Sequence, residues 1–82
     1  MLYAIPHIGE AIQRARRQKG LSQHQLAQQA GVTQPMVSLA ERGKDMRVST
    51  LQQIAAALDL VPMLVPRRAV PVVRGVMANV PE

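Results

Sequence analysis

Between Leu21 and Gly43 the stretch LSQHQLAQQAGVTQPMVSLAERG carries two complete sets of helix start and stop signals, and this constrains the fold more than anything else in the chain. Ser22 suits an N-cap, because its hydroxyl can accept from an amide that the first turn leaves unpaired. Leu26, Ala27 and Ala30 then recur at helical spacing, and Gly31 stands where a left-handed residue usually closes a helix. After Val32, Thr33 caps a further helix whose inward side is expected to hold Met36, Val37 and Ala40, and Gly43 stops it. Two such short helices can cross steeply only where their contact residues are small. Ala27 supplies that surface, Gly31 lets the chain reverse, and Val32 and Val37 fill the gap between the helices.

The flanking segments add helices on both sides. Ile8, Ala11, Ile12 and Ala15 share one face of a helix expected over about residues 7–19, preceded by Pro6 and followed by Gly20. Glu10 in its first turn and Arg16, Arg17 and Lys19 in its last suit the helix dipole. Ser49 is expected to cap a fourth helix with Leu51, Ile54, Ala55 and Leu58 inward. Residues 60–66, apolar and bracketed by prolines, read as a short extended strand that Pro62 restricts to an edge or a terminal position. Beyond them Val70, Val73, Val76 and Met77 allow either a short amphipathic helix or a mobile tail. Tyr3 is the only aromatic residue, so the core must be aliphatic, with Met36, Met46, Met63 and Met77 as core or interface filler. The expected fold is all-α: a compact bundle of four or five helices with a short C-terminal strand. Residues 1–66 form the domain and residues 67–82 a tail or short helix.

Ten Lys and Arg stand against five Asp and Glu, a net charge of +5 that favours polyanionic partners, nucleic acid first. No cysteine is present, which excludes disulfides and thiolate metal sites. Met1 to Ile5 is too short for a signal peptide and no apolar run reaches membrane-spanning length, so a cytoplasmic protein without a membrane partner is expected. His7 and His24 fall on separate helices with no carboxylate or second His at ligand spacing, so no metal, cofactor or enzymatic activity is expected.

On a helical wheel the helix from Thr33 to Arg42 turns Gln34, Pro35, Ser38, Leu39 and Arg42 outward. An amide can pair with adenine through N6 and N7, a hydroxyl can donate to base or phosphate, and an apolar side chain can sit against a thymine methyl. An outward face with a single charge fits base edges better than bulk water. The pair of helices therefore predicts a helix-turn-helix whose second helix enters the major groove of double-stranded DNA. Arg42, Lys44 and Arg47, at the end of that helix and in the loop after it, are candidates for phosphate contacts, as is the cap residue Thr33.

Gln25-Leu26-Ala27, Ala30-Gly31-Val32-Thr33-Gln34, Val37-Ser38 and Glu41-Arg42-Gly43 resemble the phage repressor and Cro family, also called the Xre type. The resemblance covers about residues 8–60 and implies a lambda-repressor-like fold that binds operator DNA as a twofold homodimer. It implies that Gln34 and Ser38 face bases with Pro35 and Leu39 beside them, that Gln23 holds a phosphate, and that Arg16 pairs with Glu41 as a structural bridge. The pair has a physical rationale too: Glu41 sits about 40° from Val37, near the buried face, where a carboxylate needs a partner.

The stretch LQQIAAALDLVPMLVPRR resembles the HipB-type antitoxins, whose C-terminal strand pairs with its copy in the other subunit. Val61, Met63, Leu64 and Val65 would form that dimer strand, since a lone strand has nothing in its own chain to pair with. Three functions follow as expectations: a repressor acting alone, an autoregulating antitoxin that also binds a HipA-like toxin kinase, and an interaction module with little DNA reading.

Overall fold

In the computed structural model, which describes residues 7–81, the chain forms five α-helices and no strand among those residues. They are α1 (Ile8–Gln18), α2 (Gln23–Ala30), α3 (Gln34–Glu41), α4 (Val48–Ala57) and α5 (Val70–Met77), the last entered through a 3-10 turn, Arg67–Ala69. Tyr3 and Pro6, along with the rest of Met1 to Ile5, lie outside the described residues.

Local chemistry sets the central pair of helices. The Ser22 hydroxyl accepts from the Gln25 amide at 3.0 Å while the Gln25 side chain accepts from the Ser22 amide at 2.8 Å, a reciprocal capping box. Thr33 Oγ1 accepts from the Met36 amide at 3.3 Å, and Pro35 occupies the first turn of α3, where a missing N–H costs nothing. Between them Gly31 takes φ +72°, a left-handed conformation that a β-carbon would strain. The chain reverses there, and the Val32 amide donates back to the Ala27 carbonyl at 3.1 Å.

The N-cap of α4 lies two residues before the expected one. It is Arg47, which makes no side-chain cap bond, while Ser49 lies within the first turn. The buried side of α4, Thr50, Ile54 and Ala55, runs back to that turn, so packing rather than capping sets where the helix begins. Its far end closes on Asp59 at φ 58°, the one non-glycine residue with positive φ among the described residues. The amides of Asp59 and Leu60 donate to the carbonyls of Ala56 and Ala55 at 3.2 and 2.8 Å, as in a Schellman ending.

The core is aliphatic throughout: Ile12, Leu26, Ala27, Ala30, Val37, Ala40, Ile54 and Leu58, with Ala15, Val32, Met46, Leu51 and Ala57 half-buried around it. α2 packs on both α3 and α4, and α1 lies on α3. Of the four methionines assigned to core or interface, only Met46 packs against the core; Met36, Met63 and Met77 are exposed.

Two further expectations about the helices and the C-terminal segment need correction. Residues 60–66 form no strand; Leu60, Val61, Met63 and Leu64 are exposed and Val65 is half-buried. A ladder needs a neighbouring strand, which the chain does not supply, and Pro62 and Pro66 have no amide to donate. Of the two alternatives for the segment beyond, a short helix forms, with Val70 and Val73 half-buried and Val76 and Met77 exposed. The second correction concerns α1. Ile8, expected inward, is 56% exposed, and the inward stripe runs instead through Gly9, Ile12 and Arg16.

Gly9 is where the backbones of α1 and α3 meet. A β-carbon there would stand 2.5 Å from the Glu41 carbonyl oxygen and 2.6 Å from that of Ala40, both backbone atoms that cannot rotate away. Gly9→Ala gains about 1 kcal/mol of helix propensity but forces the helices apart, an overpacking cost of about 1–3 kcal/mol or more. The expected result is a lower melting midpoint. Gly75→Ala in α5, with nothing within 4 Å of the added carbon, leaves the midpoint unchanged or raises it. Thermal unfolding of the two variants side by side checks this.

Candidate nucleic-acid interface

The position of Glu41 follows from its neighbours on α3. Once Val37 and Ala40 are buried, a residue one turn beyond Val37 must also lie against the body, and Glu41 is buried with its side chain only 2% exposed. A carboxylate in such a place is stable only if donors surround it. Arg16 Nε donates to Oε2 at 2.6 Å and Arg16 Nη2 to Oε1 at 3.0 Å, a two-pronged contact that matches guanidinium to carboxylate geometry. Gln23 Nε2 donates to Oε1 at 3.1 Å, and the Gln13 side chain adds a smaller favourable polar interaction with the carboxylate. Arg16 Nη1 reaches the Leu21 carbonyl at 2.8 Å, so the same side chain also holds the turn between α1 and α2.

Burial by itself would push the Glu41 carboxyl up. The hydrogen bonds from Arg16 and Gln23, with the positive charge of Arg16 and the smaller contribution of Gln13, outweigh it and hold the group below the usual carboxylate range. The hydrogen bond to Glu41 in turn raises the Arg16 guanidinium, against a smaller opposing effect of burial. Among the described residues no buried side-chain nitrogen or oxygen is left without a partner.

The cage extends to the surface. Gln34 Nε2, at the first residue of α3, donates to Gln23 Oε1 at 3.5 Å. A line of polar contacts thus runs from α1 through Glu41 and Gln23 to the amino end of α3. Gln23, assigned to a phosphate by resemblance, is half-buried and bonded within the molecule on both atoms of its amide.

The remaining candidates fall around α3. Gln34, Pro35, Leu39 and Arg42 are exposed on its outer side and Ser38 is half-buried. Thr33 is exposed with its hydroxyl oxygen used as the cap, and Lys44 and Arg47 are exposed in the connection to α4. Met36 departs from expectation: it is 42% exposed rather than inward, beside Leu39 at 39%. Val37, Ala40 and Glu41 fill the narrow strip against α1 and α2, and a step of about 100° leaves Met36 outside it. Three features of this region were missed in the sequence. Gly9 was detectable there from its spacing to Ile12 and Arg16, whereas the interactions of Gln13 and Gln23 with Glu41 depend on how three helices meet.

Removing Arg16 leaves a buried carboxylate without its principal donor, at a cost of roughly 3–5 kcal/mol for such a pair. Arg16→Ala is therefore expected to lower the unfolding free energy by that amount, as read by urea denaturation. The acid limb gives an independent check. Because the folded-state pKa of Glu41 lies below its unfolded value of about 4.3, its contribution is fully present above that pH. The contribution is lost as pH falls through the lower folded value. Glu41→Gln should lower stability at neutral pH and flatten the loss between about pH 4.3 and the folded value.

Two comparisons bear on the whole arrangement. Residues 12–64 match the family described as helix-turn-helix (HTH_3). The HTH-type transcriptional regulator y4dL of Sinorhizobium fredii is 33% identical over 78 residues, covering 94% of this chain and 40% of that protein. The chain thus spans about 40% of the length of the curated relative it matches. No helix among the described residues is long and apolar enough to cross a membrane. With its capped α2 and α3, the glycine turn between them and a match over most of its length, the chain belongs to the helix-turn-helix family of Xre/Cro type, a family of DNA-binding regulators.

Proposed function

We propose that this protein is a repressor that binds a near-palindromic operator as a homodimer, with α3 in the major groove. The observation that carries this reading is the outer side of α3, where Gln34, Ser38, Pro35 and Leu39 gather. The one acidic group of the helix, Glu41, is withdrawn into the cage. A carboxylate left uncaged on α3 would repel a phosphate backbone; at that end of the interface exposed Arg42, Lys44 and Arg47 outnumber the one exposed acid, Asp45. Gln34 and Ser38 read base edges, Pro35 and Leu39 pack beside them, and Thr33, Arg42, Lys44 and Arg47 hold phosphates. Gln23 acts chiefly through Gln34, whose amide it orients. Repression follows from occupancy, since a dimer spanning an operator excludes other proteins from it.

Support for a second copy comes from the C-terminal third. Leu60, Val61, Met63, Leu64, Val72, Val76, Met77 and Val80 are all exposed large apolar residues within a short segment. A monomer rarely leaves so much apolar surface in water, and a twofold copy would cover it. The antitoxin reading adds a HipA-like kinase to the same dimer; co-purification with the product of a neighbouring reading frame would favour it.

A mobility-shift assay on a selected operator, with half-sites about 34 Å apart or a multiple of that, tests DNA reading. Gln34→Ala and Ser38→Ala should each relax base preference, by about 1–3 kcal/mol where a bidentate contact is lost. Lys44→Ala and Arg47→Ala should weaken all sequences alike and each reduce the salt slope by about 1. Unchanged preference in both α3 variants would favour the interaction-module function instead.

Light scattering tests the dimer. Leu64 is fully exposed, so Leu64→Asp leaves the fold of one copy intact and shifts the population toward monomer. A parent protein that is monomeric at micromolar concentration would overturn the dimer.

A further inference from the structure

We infer that Met36 is a specificity-determining residue that forms with Leu39 an apolar strip recognising the 5-methyl group of thymine in the major groove. The inference rests on the DNA-reading proposal and extends it to a residue expected in the core. Met36 and Leu39 lie three positions apart on α3, so their side chains are neighbours on one face, and both are exposed. Met36 stands on the flank of α3 away from Gln34, with Leu39 between it and Ser38, so the outer face passes from hydrogen-bonding groups at one edge to hydrocarbon at the other. Neither flank exposes an acidic group, since Glu41 is buried, and Arg42 lies between them on the same outer side.

The major groove narrows what such a strip can recognise. Thymine alone offers a methyl group there, while the edges of the other bases present donors and acceptors. An apolar strip gains contact against the methyl and leaves a buried donor or acceptor unpaired against any other base, which discriminates in the same direction twice. Methionine suits the task because its unbranched, polarisable side chain adapts to the position of a methyl group. Being exposed, Met36 can be shortened without opening a cavity.

The probe is a duplex enriched from a random library by the full chain, in which each thymine is then replaced by deoxyuridine, removing the methyl and nothing else. Binding is expected to weaken about fourfold at each methyl the strip covers. Met36→Ala and Leu39→Ala, with melting midpoints unchanged, should bind more weakly and lose that penalty at one position each. Full affinity of the parent protein for every deoxyuridine probe overturns the inference, as does a penalty that persists in both variants. Those outcomes leave DNA reading by Gln34 and Ser38 standing. Failure to enrich any sequence removes the DNA-reading proposal and this inference with it.

Discussion

A carboxylate that must be buried and must be satisfied organises this small domain. Glu41 lies on the inward side of α3 because Val37 and Ala40 do, and it receives donors from α1, through Arg16, and from α2, through Gln23. A buried ion pair is a poor source of net stability, since desolvating both charges offsets most of their attraction. Its effect is on orientation. The apolar contacts around it, with Ala27, Ala30 and Ala40 prominent, are small and would tolerate sliding. Any alternative seating of α3 that strands the carboxylate costs several kcal/mol, a large share of what a domain of this size has.

Gly9 and the cage are parts of one solution. Arg16 can meet Glu41 with both prongs only if α1 runs close along α3, and the absence of a side chain at Gly9 permits that approach two turns earlier. The closeness in turn leaves no room on the inner side of α3 for a third large residue, and Met36 is put outside. The outer face of α3 is thus shaped from within: an acidic group is drawn off it and an apolar one is added to it.

What could be read in advance follows the range of the forces involved. The caps at Ser22 and Thr33 and the left-handed turn at Gly31 are local, decided by a few residues, and they stood in the sequence with their partners adjacent. The inward position of Glu41 was legible from the helical period. The start of α4 was not, because buried Thr50 and Ile54 overrode the better capping residue Ser49. The apolar run at residues 60–66 has strand composition but no partner in the chain, and composition alone cannot supply one. Met36 failed for a subtler reason. An apolar residue at helical spacing is usually core, and only the width of the groove between α1 and α2 decides otherwise.

The sparseness of the α3 face bears on how it would have to be used. With Gln34 as its one amide, a half-buried Ser38 and the apolar pair Met36 and Leu39, one copy offers a bidentate contact of about 1–3 kcal/mol and one or two methyl contacts of about 0.8 kcal/mol each. Sequence-specific binding usually exceeds non-specific binding by about 4–10 kcal/mol. One face falls at or below the bottom of that range, and two related by a twofold reach into it. Unpaired phosphate contacts cannot make up the difference, because they strengthen specific and non-specific binding alike. On the DNA-reading proposal a second copy is therefore a requirement of discrimination as well as a cover for exposed apolar surface, and DNA shape would have to contribute wherever the direct contacts run out.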